Sequence, residues 1–290
     1  MTTKPDLYDS NDYYDGDGQA SRLAPGLNSL LYFLDWFKAW NFIRVSGLLS
    51  KAKSTKRHLL RVIDIGAGDG KFLFFVKKFG FSPQGTTASS ISQQAAKSKY
   101  EIYLNLSKDI PEDFQKNKID AITYWHVFEH LEQPESHVKV WSEILADDGI
   151  VMIEVPNIDG LGSRLCYPTW LGSDDKHHIN HMSSAAIDEM LGRHGLTPYR
   201  REGFSLKFTY VYLWSAFLGR LFGVKEYSFD SVFGVLKKPG ASIKNSPVMA
   251  VNSILSMAYL SPLIILVGVI GLLTGQGEII RLYARRVPSA

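Results

Sequence analysis

The stretch LLRVIDIGAGDGKFLFFVKKFG, Leu59 to Gly80, decides the fold. Its opening run through Ile65 is aliphatic and β-branched, the composition of a parallel strand buried on both faces. Asp64 stands near the tip of that strand, and glycines follow at 66, 68 and 70. Glycine lets the backbone turn tightly and approach a ligand without an intervening Cβ, while the start of the next helix offers free N–H groups. In that helix Phe72, Phe75, Val76 and Phe79 recur at helical spacing, and Gly80 is its stop. A dinucleotide loop is spaced G-x-G-x-x-G to seat a pyrophosphate. Here the spacing is G-x-G-x-G with an acid two residues ahead, which suits a ligand bearing an amino group and no phosphate.

Outward from this stretch, strand and helix patterns alternate. A weak strand near Gln84–Ala88 precedes a helix around Ser92–Tyr100, and strands follow at Glu101–Leu106 and Ile119–Tyr124. Pro134 opens a helix where its missing N–H costs nothing, and Gly149 leads into a strand at Ile150–Val155. Ser183 caps a helix to about His194, Gly195 stops it, and Leu196–Phe204 and Glu278–Val287 are two further strands. The alternation predicts an α/β fold with a doubly wound, mostly parallel sheet that binds ligands at the carboxyl ends of its strands.

DIGAGDG at 64–70, WHVFEHLEQP at 125–134, LADDGIVMIEVPN at 145–157 and HHINHMS at 177–183 occur in one order between about Leu59 and Phe204. In that order they resemble the motifs of class I S-adenosylmethionine-dependent methyltransferases. The resemblance implies a Rossmann-like domain with an antiparallel last strand and S-adenosyl-L-methionine as cofactor. It also implies that Asp64, Gly66, Ala67, Gly68 and Gly70 cradle the methionine portion, with Trp125 and His126 bordering the reacting methyl. One departure matters. The family usually ends its second strand with an acid for the ribose hydroxyls, and Thr87 stands there in this chain, able to bond a hydroxyl with Gln93 or Gln94 nearby.

The histidines are the candidates for catalysis. His126, Glu129 and His130 spell the H-x-x-E-H of inverted zinc peptidases, but the segment directly follows a strand and lacks the helix that would bring all three to one face. It is also similar to the E-x-x-E-H with which quinone O-methyltransferases hold a divalent ion, His126 replacing the first Glu; the expectation is packing without a metal. His177, His178 and His181 form a second cluster, which in similar enzymes lies over the acceptor pocket. His126, His130, His178 and His181 are therefore the catalytic candidates, any of which can act as a base near neutral pH. Tyr13 and Tyr14 belong to an arm that either folds over the cofactor or packs on the surface, and Cys166 reads as a small buried residue.

With 32 Lys+Arg against 29 Asp+Glu, the chain's net charge of +3 offers no bulk attraction for nucleic acid. A lone cysteine and a polar, acidic N-terminus without an apolar signal core suggest a cytoplasmic setting. Against this background, Asn245–Gly277 carries no charge and is apolar through Val248–Leu273. As straight helix it would reach ~40 Å, more than the ~30 Å of a bilayer core. Pro262 divides it, however, and the last two strands must pair in one sheet, so an odd number of crossings is forbidden. The expectation is a proline-broken re-entrant or in-plane element on the cytoplasmic face of a membrane, peripheral or monotopic, with Lys237, Lys238 and Lys244 toward anionic headgroups. Two crossings using Phe208–Phe222, or a helical cap packed on the enzyme or on a second subunit as a homodimer, are the alternatives. The expected organisation is an arm and helical lid over 1–58, the methyltransferase core over 59–205, a membrane-associating insertion over 206–275 and the last strand over 276–290. The expected acceptor is hydrophobic or lipid-linked, such as a glycolipid, an isoprenoid-linked saccharide or a quinone precursor. Cyclopropane-synthase-like chemistry on acyl chains and a non-catalytic cofactor-binding membrane protein compete with it.

Overall fold

The computed structural model describes residues 25–54, 59–115, 118–173, 178–222 and 247–286. Tyr13, Tyr14, His177, Lys237, Lys238 and Lys244 lie outside the described residues. The strands are β1 Arg61–Ile65, β2 Ser82–Thr87, β3 Asn105–Leu106, β4 Ile119–Trp125, β5 Leu145–Pro156, β6 Leu196–Glu202 and β7 Ile279–Arg286. They form one sheet in the order β3-β2-β1-β4-β5-β7-β6. The pairs from β3 to β5 are parallel, and β7 runs antiparallel to both β5 and β6. This is the mostly parallel sheet that the alternation predicts, with the antiparallel last strand that the methyltransferase resemblance implies.

The helices are α1 Pro25–Val45, α2 Leu48–Ser54, α3 Lys71–Lys78, α4 Ser90–Tyr100, α5 Glu112–Gln115, α6 Pro134–Ile144, α7 Leu161–Cys166, α8 Ser184–Arg193, α9 Leu206–Phe222 and α10 Pro247–Leu273. One face of the sheet packs with α6 and α8 around Tyr124, Trp141, Ile153 and Ile187; the other packs with α1 and α3 around Phe42, Val62, Phe75 and Met152. The N-terminal helix α1 packs its inner face into the core, where Ala39, Phe42 and Ile43 are buried. Ser183 caps α8 through its hydroxyl, which accepts from the Ala186 N–H at 3.2 Å.

Two expectations change. The edge strand expected over Glu101–Leu106 is confined to its last two residues. Glu101 at φ +55° is the left-handed residue that ends α4, and Ile102 and Leu104 turn into the core. The apolar segment is not broken at Pro262: α10 runs through the proline as one helix. It lies against α9 along Leu213, Trp214, Leu218, Leu260 and Ile264. Tyr210 and Ser261 share a 2.7 Å hydrogen bond, and the Trp214 indole donates to Ser256 Oγ at 3.1 Å. Fully burying a large apolar side chain stabilises by about 1.5–3 kcal/mol, so this seam can hold a proline-bearing helix in place. No described helix is long and apolar enough to cross a membrane.

Candidate active site

The turn after β1 separates the roles of its three glycines. The Gly66 N–H donates to Thr86 Oγ1 at 3.2 Å and the Ala67 N–H to the Thr86 carbonyl at 2.7 Å, tying the turn to β2. A Cβ at Gly66 would meet Val127 Cγ2 at 2.5 Å, and one at Gly70 would meet the Ala96 methyl at 2.9 Å. Those two glycines permit close packing. A Cβ at Gly68, where φ is +54°, would meet nothing within 4 Å, so this residue presents bare backbone to open space.

Asp64 is buried at the end of β1, where Thr123 Oγ1 on the neighbouring strand donates to its Oδ1 at 2.6 Å. Burial pushes its carboxyl up to about 7, against the lowering effects of that hydrogen bond and of the Lys38 ammonium. The group is an acid short of positive charge. Thr87 is buried, with its hydroxyl accepting from the Ser89 N–H at 3.3 Å in the turn before α4.

Sheet register builds the rest. Trp125 on β4 is opposite Glu154 on β5, Glu154 opposite Arg281 on β7, and Arg281 opposite Glu202 on β6. One cross-strand row therefore carries an indole, an acid, a base and an acid side by side. Arg281 Nε donates to Glu154 Oε2 at 2.6 Å and Nη1 to Glu202 Oε2 at 2.8 Å. Burial alone would raise the Glu154 carboxyl; the charge of Arg281, with His126 and Lys38, pulls it down to about 2. Lys38 reaches in from α1 with its ammonium 3.8 Å from the centre of the Trp125 indole, and burial holds it below its usual value despite Glu154, Asp64 and Asp35.

His126 follows Trp125 in a left-handed conformation, φ +53°, costly for a non-glycine residue. Its N–H donates to the Glu154 carbonyl at 2.9 Å, and the ring lies against Phe208 of α9 with centroids 3.7 Å apart and the planes tilted by 38°. Nε2 bonds Glu154 Oε1 at 3.0 Å, while Nδ1 is 3.4 Å from both Tyr212 Oη and Glu129 Oε1. Burial disfavours the imidazolium, but the two facing carboxylates outweigh it and raise the His126 pKa.

A cavity of about 780 Å³ opens beside this row, walled by Lys38, Trp125, His126, Glu154, Phe208 and Arg281 among others. Of the four catalytic candidates only His126 lines it. His130 and His178 stand together elsewhere, rings 4.9 Å apart, and His178 and His181 line a narrow crevice beyond Pro156. The expectation that the second histidine cluster covers this cavity is therefore not met. Lys38, Glu154, Glu202 and Arg281 were missed; for Glu154 and Arg281 the signal was a charge inside an otherwise aliphatic strand, in IVMIEVP and EIIRLYARR, whereas Lys38 on a helix and Glu202 in the polar strand LTPYRRE carried none.

The residues around the first turn suit a ligand carrying a cationic amino group. Burial of Asp64 outweighs the positive charge that reaches it from Lys38, Gly68 faces open space, and the Trp125 indole N–H is buried without an acceptor among the described residues. The methyltransferase-domain family matches residues 35–200, more than half of the chain. The chain belongs to this family. It is a methyltransferase, with S-adenosyl-L-methionine as its cofactor. Among solved structures, a protein assigned as a sarcosine dimethylglycine methyltransferase from Galdieria sulphuraria is similar at 16% identity, covering 97% of this chain and 98% of that one with a TM-score of 0.55. The plantazolicin methyltransferase BpumL in complex with SAH is similar at 13% identity, covering 97% and 93% with a TM-score of 0.51. At such identities the likeness is one of fold. No curated protein sequence matches the chain.

Proposed function

We propose that this methyltransferase alkylates a hydrophobic or lipid-linked small molecule that enters from a membrane surface. The observation that carries the reading is an apolar stripe that runs to the mouth of the cavity. Leu255, Tyr259, Leu263, Leu266, Ile270 and Leu273 recur every three or four residues along α10, and all are exposed. Gly271, Leu272 and Gly275 at the end of that helix belong to the cavity wall. A contiguous exposed apolar face of this kind marks an interaction surface, and an in-plane helix is the form it takes at a lipid headgroup boundary.

In this reading Asp64 takes the cofactor's amino group, and the turn from Gly66 to Gly68, held against Val127 at Gly66, lets its methionine end lie on the bare backbone at Gly68. The bound cofactor supplies a sulfonium methyl, whose transfer needs a nucleophile held in line. Phe208 and His126 wall the acceptor's path, and the Glu154–Arg281–Glu202 chain holds that wall rigid. His126 has both ring nitrogens engaged, so its part is to shape the cavity rather than to take a proton.

Flotation with phosphatidylglycerol-containing liposomes tests the proposal. Wild type should float, and a Tyr259→Glu, Leu266→Glu, Leu273→Glu variant should stay at the bottom while binding the cofactor as tightly as wild type. A wild type that stays at the bottom would remove the membrane from the reading, and a variant that floats like wild type would remove the outer face of α10 as its anchor.

A further inference from the structure

Glu129 lies in a short 3₁₀ turn, Phe128–His130, and is 1% exposed. Neither carboxylate oxygen accepts a hydrogen bond among the described residues. A carboxylate in such a place is expensive unless positive charge compensates it, and among the described residues that charge can come only from imidazoles: His126, with Nδ1 3.4 Å away, then His130 and His178. Two imidazoles also converge on it. One ligand atom each from Glu129, His130 and His178 lies within 4.8 Å of the other two. Ligand bonds of about 2.0–2.2 Å to a common ion require only a modest contraction of these side chains.

The surroundings are arranged as the outer shell of a metal site would be. His178 Nδ1 is 3.0 Å from the Gly172 carbonyl, to which it donates, and this contact fixes the orientation of the ring. Gly172 is pinned in its turn against the face of Trp170, where a Cβ would meet the ring at 2.1 Å. The two ligand-bearing segments are stitched together by Asn180, whose N–H donates to the Glu129 carbonyl at 3.0 Å and whose side-chain amide donates to the Leu131 carbonyl.

We propose that Glu129, His130 and His178 form a binding site for a divalent transition-metal ion of the zinc type. Two imidazoles and one carboxylate select such an ion over magnesium or calcium, and three protein ligands leave a position for water or a further donor. The set is not the H-x-x-E-H of the sequence. His126 turns to Glu154 and the acceptor cavity, and His178 replaces it from the segment that precedes α8. The ion would neutralise Glu129 and fasten the segment after β4 to the one before α8, outside the wall of the large cavity. This inference stands apart from the acceptor reading and survives its failure.

The test uses the full chain, stripped with chelator and dialysed, then titrated with Co(II) alone while visible absorption and circular dichroism are followed. One equivalent should bind with a d–d spectrum of low coordination number, and Zn(II) should displace it. Glu129→Gln and His178→Ala should each weaken binding by at least the ~100-fold that loss of an outer-shell partner can cost. His194→Ala, whose imidazole sits on Glu135, should leave it unchanged. His178→Cys should keep the ion and add a thiolate-to-cobalt charge-transfer band, which decides the matter if the other variants fold poorly. No saturable Co(II) or Zn(II) binding by the folded wild type, undiminished binding in both Glu129→Gln and His178→Ala, or a His178→Cys spectrum without that band overturns the proposal.

Discussion

Asp64 joins the folding and the binding of this protein in one ionisation. Its carboxyl stands at about 7 because burial outweighs the Thr123 hydrogen bond and the Lys38 charge reaching it from α1. A raised carboxyl means the folded chain holds a proton that the unfolded chain has lost. Its contribution to stability is therefore full below about pH 4 and disappears as pH climbs through 7. Cofactor binding runs the other way, because a cationic amino group prefers the ionised carboxylate. Between pH 6 and 8 the ionised fraction of a group near 7 rises about tenfold, so affinity for S-adenosylmethionine should rise by a comparable factor. Calorimetry should also detect proton release on binding near pH 6. Asp64→Asn should bind weakly with a flat profile; a flat profile in wild type would show that Asp64 does not face the amino group. Asp64 itself was legible as an acid before a glycine loop. That Gly68 faces open space while Gly66 and Gly70 serve packing was not, because the three differ only in what lies opposite them, Val127 and α4, which the chain supplies from elsewhere.

Among the elements, those with strong periodicity were legible: β1, β4, α3 and α8 fall close to where their apolar spacing and caps put them. The helix through Pro262 was not, since local chemistry argues for a break there and the seam with α9 overrides it. Proline in a helix interior removes one hydrogen bond and crowds the preceding turn, costing about 3 kcal/mol relative to alanine. Pro262 is exposed, so replacing it disturbs no core contact. Pro262→Ala should stabilise the chain by up to about 3 kcal/mol, read as a higher urea midpoint. An unchanged or lower midpoint would mean that the proline shapes α10 to fit α9. The row Trp125–Glu154–Arg281–Glu202 was hidden for a different reason: it exists only once four strands are in register.

For the whole molecule, the apolar insertion raises the question of whether the core needs it. Glu202 at the end of β6 is paired with Arg281 near the start of β7, so the sheet closes across the point where the chain leaves and returns. Removal of Pro247–Leu273 therefore deletes no strand. Residues 223–246 would then bridge the end of α9 and Thr274. Their 24 positions, at roughly 3.3 Å each, exceed the ~25 Å length of a 17-residue helix. The cost falls on α9, whose Leu213, Trp214 and Leu218 would be uncovered, a loss on the order of 5 kcal/mol at about 1.5–3 kcal/mol for each large side chain. The deletion variant should thus be less stable and need mild detergent, yet bind S-adenosylmethionine near wild-type affinity and no longer float with liposomes. Truncation of everything after residue 246 should behave differently, because it also removes β7 from between β5 and β6, exposing two strand edges. That chain should aggregate and bind no cofactor. If the internal deletion also loses the cofactor and aggregates with detergent present, α10 belongs to the core and its outer face is no membrane surface; if it binds cofactor and still floats, the anchor lies in α1 or α9.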